Sequence, residues 1–495
     1  MDNIPAEIIK CCADIIAIPL VLIFNNCMST GCFPDLLKIG KIIPIYKSGE
    51  RGVYSNYRPI SLLTNFLKIF EKLFNLRLKN VLAKYNIPGV NQFGFQNKKS
   101  TAMAVLEMVD KITNALDNKC SGIGIFVDLA KAFDTVNHSI LLSKLEHYGI
   151  RGTQNKLLRS YLTDRKQMVF FDNVYSKTCK TTHGVPQGSI LGPLLFLIYI
   201  DDLKNCSTLL KFILFADDTN IFNMHNNLTT LINTTNQELQ NLSSWFKANK
   251  LSLNVTKTNF MIFSNVCDNF VKDNIIIELD GKQLERVTTS KFLGVFIDDE
   301  LSWKPHISHV TNIIARVVGV FHRIRYKIST KTALMLYDTM IMPHLSYCTI
   351  TWASGARGHL TTLFRLQKRA IRIVQQSRRL EHTAPLFIKL NRLNIYDLHT
   401  YQLCCLMHNC FHNDVYSGVF KNYFSFNSSI HTHMTRTAGN LHRQFARTTL
   451  RSNSLRLAGP VAWNAIPPHI RSASSFLHFK TCLKHWLLSL HDTTP

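Results

Sequence analysis

The chain has 495 residues, 46% of them apolar, which is enough for a sizeable buried core spread over two to four substructures. Its formal net charge is +25 and lopsided: residues 301–495 hold 24 Lys/Arg against 5 Asp/Glu, whereas residues 1–300 hold 33 against 27. This balance points to a polyanionic partner, nucleic acid ahead of an anionic membrane surface, while 13 unevenly spaced cysteines exclude a disulfide framework and fit a reducing, intracellular compartment.

Residues 5–30 predict an amphipathic helix from the spacing of Ile8, Ile9, Cys12, Ile15, Ile16, Leu20 and Ile23. The longest apolar runs, Ile15–Phe24 and Ile190–Ile200, are about half the ~20 residues a membrane span needs, so no membrane is expected. Lys38–Lys47 predicts a basic strand, either a plain sheet edge or an RNA contact. A polar loop over 48–58 follows, then helix signals over Lys68–Tyr85 that Pro88-Gly89 stops. Gln92-Phe93-Gly94-Phe95-Gln96-Asn97-Lys98-Lys99-Ser100 predicts a glycine-bearing basic loop before a helix. Amides at that helix start, with Lys98 and Lys99, suit a phosphate, and a simple capped helix start reads equally from the same residues.

Gly122–Asp128 predicts a buried strand ending in a carboxylate, which serves either as a helix cap or as a metal ligand. His183-Gly184-Val185-Pro186-Gln187-Gly188-Ser189 leads into an apolar helix, and so little side-chain bulk lets another molecule approach the backbone. Leu209–Phe222 predicts two strands joined by a tight turn that bears Asp217-Asp218. The same dipeptide occurs at Asp201-Asp202 and Asp298-Asp299, but only Asp217-Asp218 has strand formers on both sides. Adjacent carboxylates repel, and a bound divalent cation keeps such a pair ionised; a solvated turn would carry the same residues.

Beyond residue 300 the pattern changes to basic helices over Val310–Tyr326, Lys331–Met342 and Leu363–Leu380. The last carries Arg365, Lys368, Arg369, Arg372, Arg378 and Arg379 with no balancing acid, which argues for phosphates over a merely solvated face. Cys404–Cys410 predicts buried thiols on a helix rather than a zinc site. Residues 425–457 are polar and expected to be partly disordered, and Trp463, Phe476, Phe479, Leu483 and Trp486 predict a packed terminal helix.

Taken in order, Asn56-Tyr57-Arg58-Pro59-Ile60-Ser61-Leu62, Gln92-Phe93-Gly94-Phe95, Phe126–Asp134, Gly184–Ser189, Phe215-Ala216-Asp217-Asp218, Lys257 and Phe292-Leu293-Gly294 resemble the block series of reverse transcriptases of non-LTR (LINE-type, Jockey-like) retrotransposons. The resemblance runs from about residue 1 to 300, and Gly459–Asn464 and Phe479-Lys480 resemble the C-terminal region of such reading frames.

It implies an α+β right-hand polymerase with fingers, a palm built on an antiparallel sheet, a helical thumb and a basic helical C-terminal region. The implied segments are an N-terminal extension (1–55), fingers (56–125), palm with finger-side insertions (126–265), primer-grip region (266–300), thumb (301–400) and tail (401–495). The implied reaction is RNA-directed DNA synthesis, with an RNA template, a DNA primer and dNTPs as partners. Asp128 and Asp217 would bind two Mg2+ ions, or Mn2+ in their place, with Asp218 as third carboxylate. Lys257 resembles the lysine proposed to protonate pyrophosphate, Arg58 a fingers residue near the triphosphate, and Phe133 the aromatic gate against a 2′-hydroxyl. Gln187 and Gly188 would line the base-pair pocket, and Phe292, Leu293 and Gly294 resemble the primer grip. Lys98, Lys99, Arg365, Lys368, Arg369 and Arg372 are the expected template-primer contacts. Asp134 matches its block too but lies one helical turn on and is set aside as structural.

Two departures stand out. Gln96 occupies the place of an arginine, and the endonuclease that precedes this block series has no counterpart in these residues. Both are compatible with a fragment or truncated copy whose nuclease lies elsewhere. The reading thus stays open between a polymerase and a decayed copy that binds RNA without chemistry.

Overall fold

The computed structural model describes residues 4–265, 274–355, 357–412, 419–420, 423–430 and 437–491. Parts of the expected primer-grip region, tail and polar stretch therefore lie outside the described residues. Two sheets and a hairpin organise the first 300 residues, with longer strands β1 (Ile39–Tyr46), β2 (Tyr57–Leu62), β3 (Ser121–Val127), β4 (Lys166–Phe171), β5 (Lys211–Phe215), β6 (Asp218–His225), β7 (Asn259–Phe263), β8 (Thr289–Phe292) and β9 (Val295–Asp298).

The smaller sheet forms around β1, which pairs antiparallel with β2 and parallel with β4. The β1–β2 hairpin straddles residue 55, so the expected boundary between extension and fingers is corrected: the backbone ladder from Lys41 opposite Leu62 to Tyr46 opposite Tyr57 makes both strands one unit.

The larger sheet has the order Glu285–Arg286, β7, β3, β6, β5. Its centre, β3, is buried throughout and pairs antiparallel with β6 and β7. Burial on both faces explains its continuous apolar reading. Ile123, Ile125 and Val127 enter one hydrophobic core, and Phe126 enters the other, as the two-residue strand period requires. Leu191–Ile200 is apolar on all sides because nine of its residues are buried there.

The second core continues from helix Thr101–Asp117 through helices Lys304–Ile324, Arg357–Val374, Ile395–His412, Leu455–Ala465 and Phe476–Ser489. Thumb and tail are therefore one packed body, and helix Ile395–His412 runs across the expected boundary at 400. The polar stretch is also ordered where described. Arg451, 5% exposed, donates to buried Asp110, while Asp117 accepts from the amides of Arg447 and Thr448. Cations that look like solvent exposure in the sequence find carboxylates on helix Thr101–Asp117.

Near the N-terminus, helix Ala13–Thr30 is long and apolar enough to cross a membrane by length and composition, and 11% of it is buried. The expected helix over 5–30 is present as two, Ala6–Cys11 and Ala13–Thr30, and the apolar run read as too short for a span, ending before Asn25 and Asn26, lies within the second, which continues through Pro19. Ile15, Ile18 and Leu22 lie exposed on it.

Candidate active site

The register of the larger sheet creates the site. Val127 stands opposite Thr219, so Asp128, just past β3, comes beside Asp218, the first residue of β6. Phe215 pairs with Asp218, which places the tight turn at Ala216-Asp217 rather than between the two acids. Ala216 adopts a φ of +56°, a region L-residues seldom enter, and the turn needs support. That support is Gln92: its Oε1 accepts from the amides of Ala216 at 2.9 Å and Gly94 at 2.8 Å. Phe93 N–H donates to Leu214 O and Leu214 N–H to Asn91 O, so the segment lies against β5. A Cβ on Gly94 would stand 2.5 Å from the Ala216 nitrogen, so only glycine allows this approach.

Asp128 is clasped by the loop before β7. Asn254 Nδ2 donates to its Oδ2 at 2.9 Å, and its own amide donates to Thr258 Oγ1 at 3.2 Å. Asp217 and Asp218 are open to solvent at the surface but stand in a cleft walled by protein, which withdraws enough water to matter. Desolvation, then the charge of Asp128, raises the Asp217 carboxyl above its ordinary range, with Arg58 and Lys47 pulling it back. Asp218 is pushed up to about 6 by desolvation, then by Asp217 and Asp128, against the pull of Lys47. Lys47 follows β1 and Arg58 lies on β2, so the smaller sheet projects two exposed cations toward the acids.

The other acidic pairs serve the fold. Asp201 accepts from Gly89 N–H, Asp202 pairs with Lys144 at 2.6 Å, and Asp298 accepts from the amides of Ser302 and Trp303. Among the described residues no ion pair takes up Asp217 or Asp218.

Asp128, Asp218, Lys257, Leu293 and Gly294 line one cleft of about 310 Å³. Lys257 is exposed at its rim. Phe292 also borders it, but its ring is only 3% exposed and packs near Phe126, which leaves Leu293 and Gly294 as the accessible residues of the expected primer-grip trio. The donor set suits a hard divalent ion: carboxylate oxygens crowded enough to raise each other's pKa gain most from a cation between them. Among the described residues no three His, Cys, Asp or Glu side chains converge into a ready-made metal cage. Such a site fits Mg2+ held by one or two carboxylates together with substrate phosphates.

Phe133 stacks on buried Phe196 with ring centroids 4.6 Å apart and meets Phe95 edge-on. Gln187 Nε2 donates to Asp134 Oδ1 at 2.9 Å, so Asp134 orients the very side chain expected to line the base-pair pocket. Gly188 is filled from within: its absent Cβ would stand 2.6 Å from Ser61 O, and Ser61 N–H donates to Gln187 O. A side chain at this position would therefore collide with β2, while Gly188 itself stays exposed.

A reverse transcriptase (RNA-dependent DNA polymerase) family model matches residues 45–332, which include the whole larger sheet, the smaller sheet apart from most of β1, and Asp128, Asp217 and Asp218. The chain belongs to the reverse transcriptase family. It is 29% identical over 394 residues to a probable RNA-directed DNA polymerase from transposon BS of Drosophila melanogaster, covering 76% of this chain and 42% of that protein. It is 26% identical over 364 residues to the RNA-directed DNA polymerase from mobile element jockey of the same fly, covering 71% and 39%. The chain thus spans about two fifths of the length of these curated relatives, and its similarity to transposon polymerases agrees with the motif series. A solved structure of Candida tropicalis telomerase aligns with a TM-score of 0.41 at 13% identity, covering 78% of this chain and 69% of that one.

Within this reverse transcriptase the fingers loop differs from its sequence reading. Lys99 Nζ donates to the carbonyls of Val90 and Gln92 at 3.0 and 2.8 Å, and burial pushes its pKa down to about 8. Lys99 is therefore a brace of the Gln92 loop rather than a free phosphate contact, whereas Lys98 is exposed. Gln96 Nε2 donates to Gln92 O, joining the same brace. On the thumb helix, Arg365 and Arg369 are exposed, Lys368 lies 4.3 Å over the Phe364 ring, and Arg372 Nε donates to Glu381 O at 2.8 Å. The first two can meet a phosphate directly. Sequence reasoning missed Gln92, Lys47 and Asn254 as site residues; Gln92 sat in a quoted motif, and its partner 124 residues away was the hidden part.

Proposed function

We propose that this chain is the polymerase segment of a non-LTR retrotransposon protein, extending a DNA primer on an RNA template. The observation that carries the reading is the β3–β6 register, which sets Asp128 against Asp217-Asp218 beneath the fingers cations Lys47 and Arg58. Asp128 and Asp217 would hold two Mg2+ ions, with Asp218 completing the acidic face. When bound, such ions sharpen the primer 3′-hydroxyl as nucleophile and neutralise the leaving pyrophosphate.

The remaining steps belong to side chains. Lys47 and Arg58 face the incoming triphosphate across the cleft. Phe133, backed by Phe196, cannot retreat from a 2′-hydroxyl. Gln187, oriented by Asp134, borders the nascent base pair. Lys257 stands at the cleft rim, where it can give a proton to the leaving group, and the Leu293-Gly294 turn bears on the primer end. Arg365 and Arg369 bear on the template-primer backbone.

The test is extension of oligo(dT) on poly(rA) with dTTP and Mg2+ by the wild type, Asp217→Ala and Asp218→Ala. Extension by the wild type alone is expected. Residual synthesis by Asp217→Ala would overturn the site assignment. Silence from all three folded, RNA-binding proteins would favour the inactive remnant.

A further inference from the structure

We propose that Tyr347 is a positioning residue that holds the Leu293-Gly294 turn at the edge of the catalytic cleft. The inference rests on the polymerase reading for its kinetic consequence, but the tether is a structural relationship of its own. Tyr347 belongs to the thumb, and its hydroxyl donates to the backbone carbonyl of Leu293, 54 residues away. That carbonyl sits in the β8–β9 turn, where Leu293 and Gly294 both have positive φ, +45° and +83°. The hairpin is paired from Thr289 opposite Asp298 up to Phe292 opposite Val295, which leaves the Leu293 carbonyl at its tip free to accept from outside. The Tyr347 ring also covers Gly294, whose absent Cβ would stand 3.4 Å from its Cε1.

The phenol is presented by a rigid backbone. Tyr347 N–H donates to Pro343 O, the buried Trp352 indole donates to Tyr347 O at 2.7 Å, and Gln402 Nε2 donates to Ser346 O at 2.9 Å. Cys348, in the left-handed region at φ +52°, turns the chain immediately after it. Thr101, which begins the helix that follows the Gln92 loop, stands near the phenol. The hydroxyl itself ties the thumb to the turn lining the Asp128–Asp218 cleft.

In this arrangement Tyr347 touches no reacting atom. It acts through Leu293 and Gly294, fixing where the primer end meets the carboxylates. Its loss should weaken use of the primer-template while leaving nucleotide handling intact.

The test compares the wild type with Tyr347→Phe in two measurements. Tyr347→Phe keeps the ring and removes the hydroxyl, so thermal stability should barely move. In primer extension, KM for the poly(rA)/oligo(dT) duplex should rise about 3- to 10-fold, as expected for one lost hydrogen bond, with KM for dTTP at saturating duplex unchanged. An equal rise in both constants, or no change in either, would overturn the positioning role. The second measurement, amide hydrogen exchange over residues 289–298, needs no activity. Faster exchange in the variant supports the tether, and identical exchange overturns it. An inert wild type overturns the polymerase reading and leaves exchange to decide the tether.

Discussion

The side-chain oxygen of Gln92 accepts hydrogen bonds from Ala216 and Gly94 together, and by that pair of bonds the fingers loop holds the turn on which Asp217 stands. The Asp217-Asp218 hairpin is thus supported from outside its own sheet.

Gln92→Leu should destabilise the protein by about 1–3 kcal/mol, because two buried amides lose their acceptor, and should lower extension about tenfold or more through a misplaced Asp217. Gly94→Ala should be at least as damaging, since its Cβ would meet backbone atoms that cannot swing aside. Urea unfolding together with primer extension checks both. Wild-type stability and activity in Gln92→Leu would remove the loop from this role.

Arg451 and Asp110 form a buried ion pair, each side chain 6% exposed, with Arg456 on the other carboxylate oxygen. Arg451→Met should cost roughly 3 kcal/mol, measured by thermal or denaturant unfolding, because it strips the buried carboxylate of one partner. Adding Asp110→Leu should recover part of that loss. If the double variant is no more stable than the single one, the uncompensated charge is not the cause.

Phe133→Val should raise ribonucleotide incorporation relative to deoxyribonucleotide by about tenfold or more, since the aromatic wall backed by Phe196 would be shortened. The ratio of kcat/KM for UTP and dTTP on the same duplex reads it directly. An unchanged ratio would dismiss Phe133 as the gate.

Acid should loosen the thumb and tail body. Burial pushes His306 and His408 down to about 4, with His309 and His412 respectively facing them and adding repulsion. Both are neutral in the folded protein while the unfolded chain takes up a proton below about 6.5, so between pH 6.5 and 4 the unfolded state binds more protons. Stability should be full above pH 6.5 and fall as pH drops through that window, by up to about 3 kcal/mol for each. His408 packs against Phe479 and Phe476, and among the described residues neither ring nitrogen has a hydrogen-bond partner. His408→Phe should therefore flatten the pH dependence of thermal unfolding, and an unaltered slope would exclude His408 as a contributor.

Much of this site could be read along the chain because local chemistry repeats locally. Strand-forming residues around Asp217-Asp218 and before Asp128 mark two strand ends, and the block order names the family that joins them. The apolar continuity of β3 and of Leu191–Ile200 likewise announces burial on every side. Lys99 reads as a phosphate ligand until the Val90 and Gln92 carbonyls come within reach of it. The polar stretch 425–457 reads as partly disordered until Arg451 is buried beside Asp110, 341 residues earlier.

Sequence by itself determined the strand ends, the acidic residues placed there, the helical basic half and the family. Only the tertiary structure decided which backbone groups Gln92, Lys99 and Tyr347 hold, and which cations face the acids rather than their own loops. The physical reason is that a side chain's partner across a sheet register or a domain contact is chosen by the whole packed chain. Tyr347 and Leu293, Gln92 and Ala216, and Arg451 and Asp110 stand 54, 124 and 341 positions apart, which leaves no periodicity by which one could announce the other.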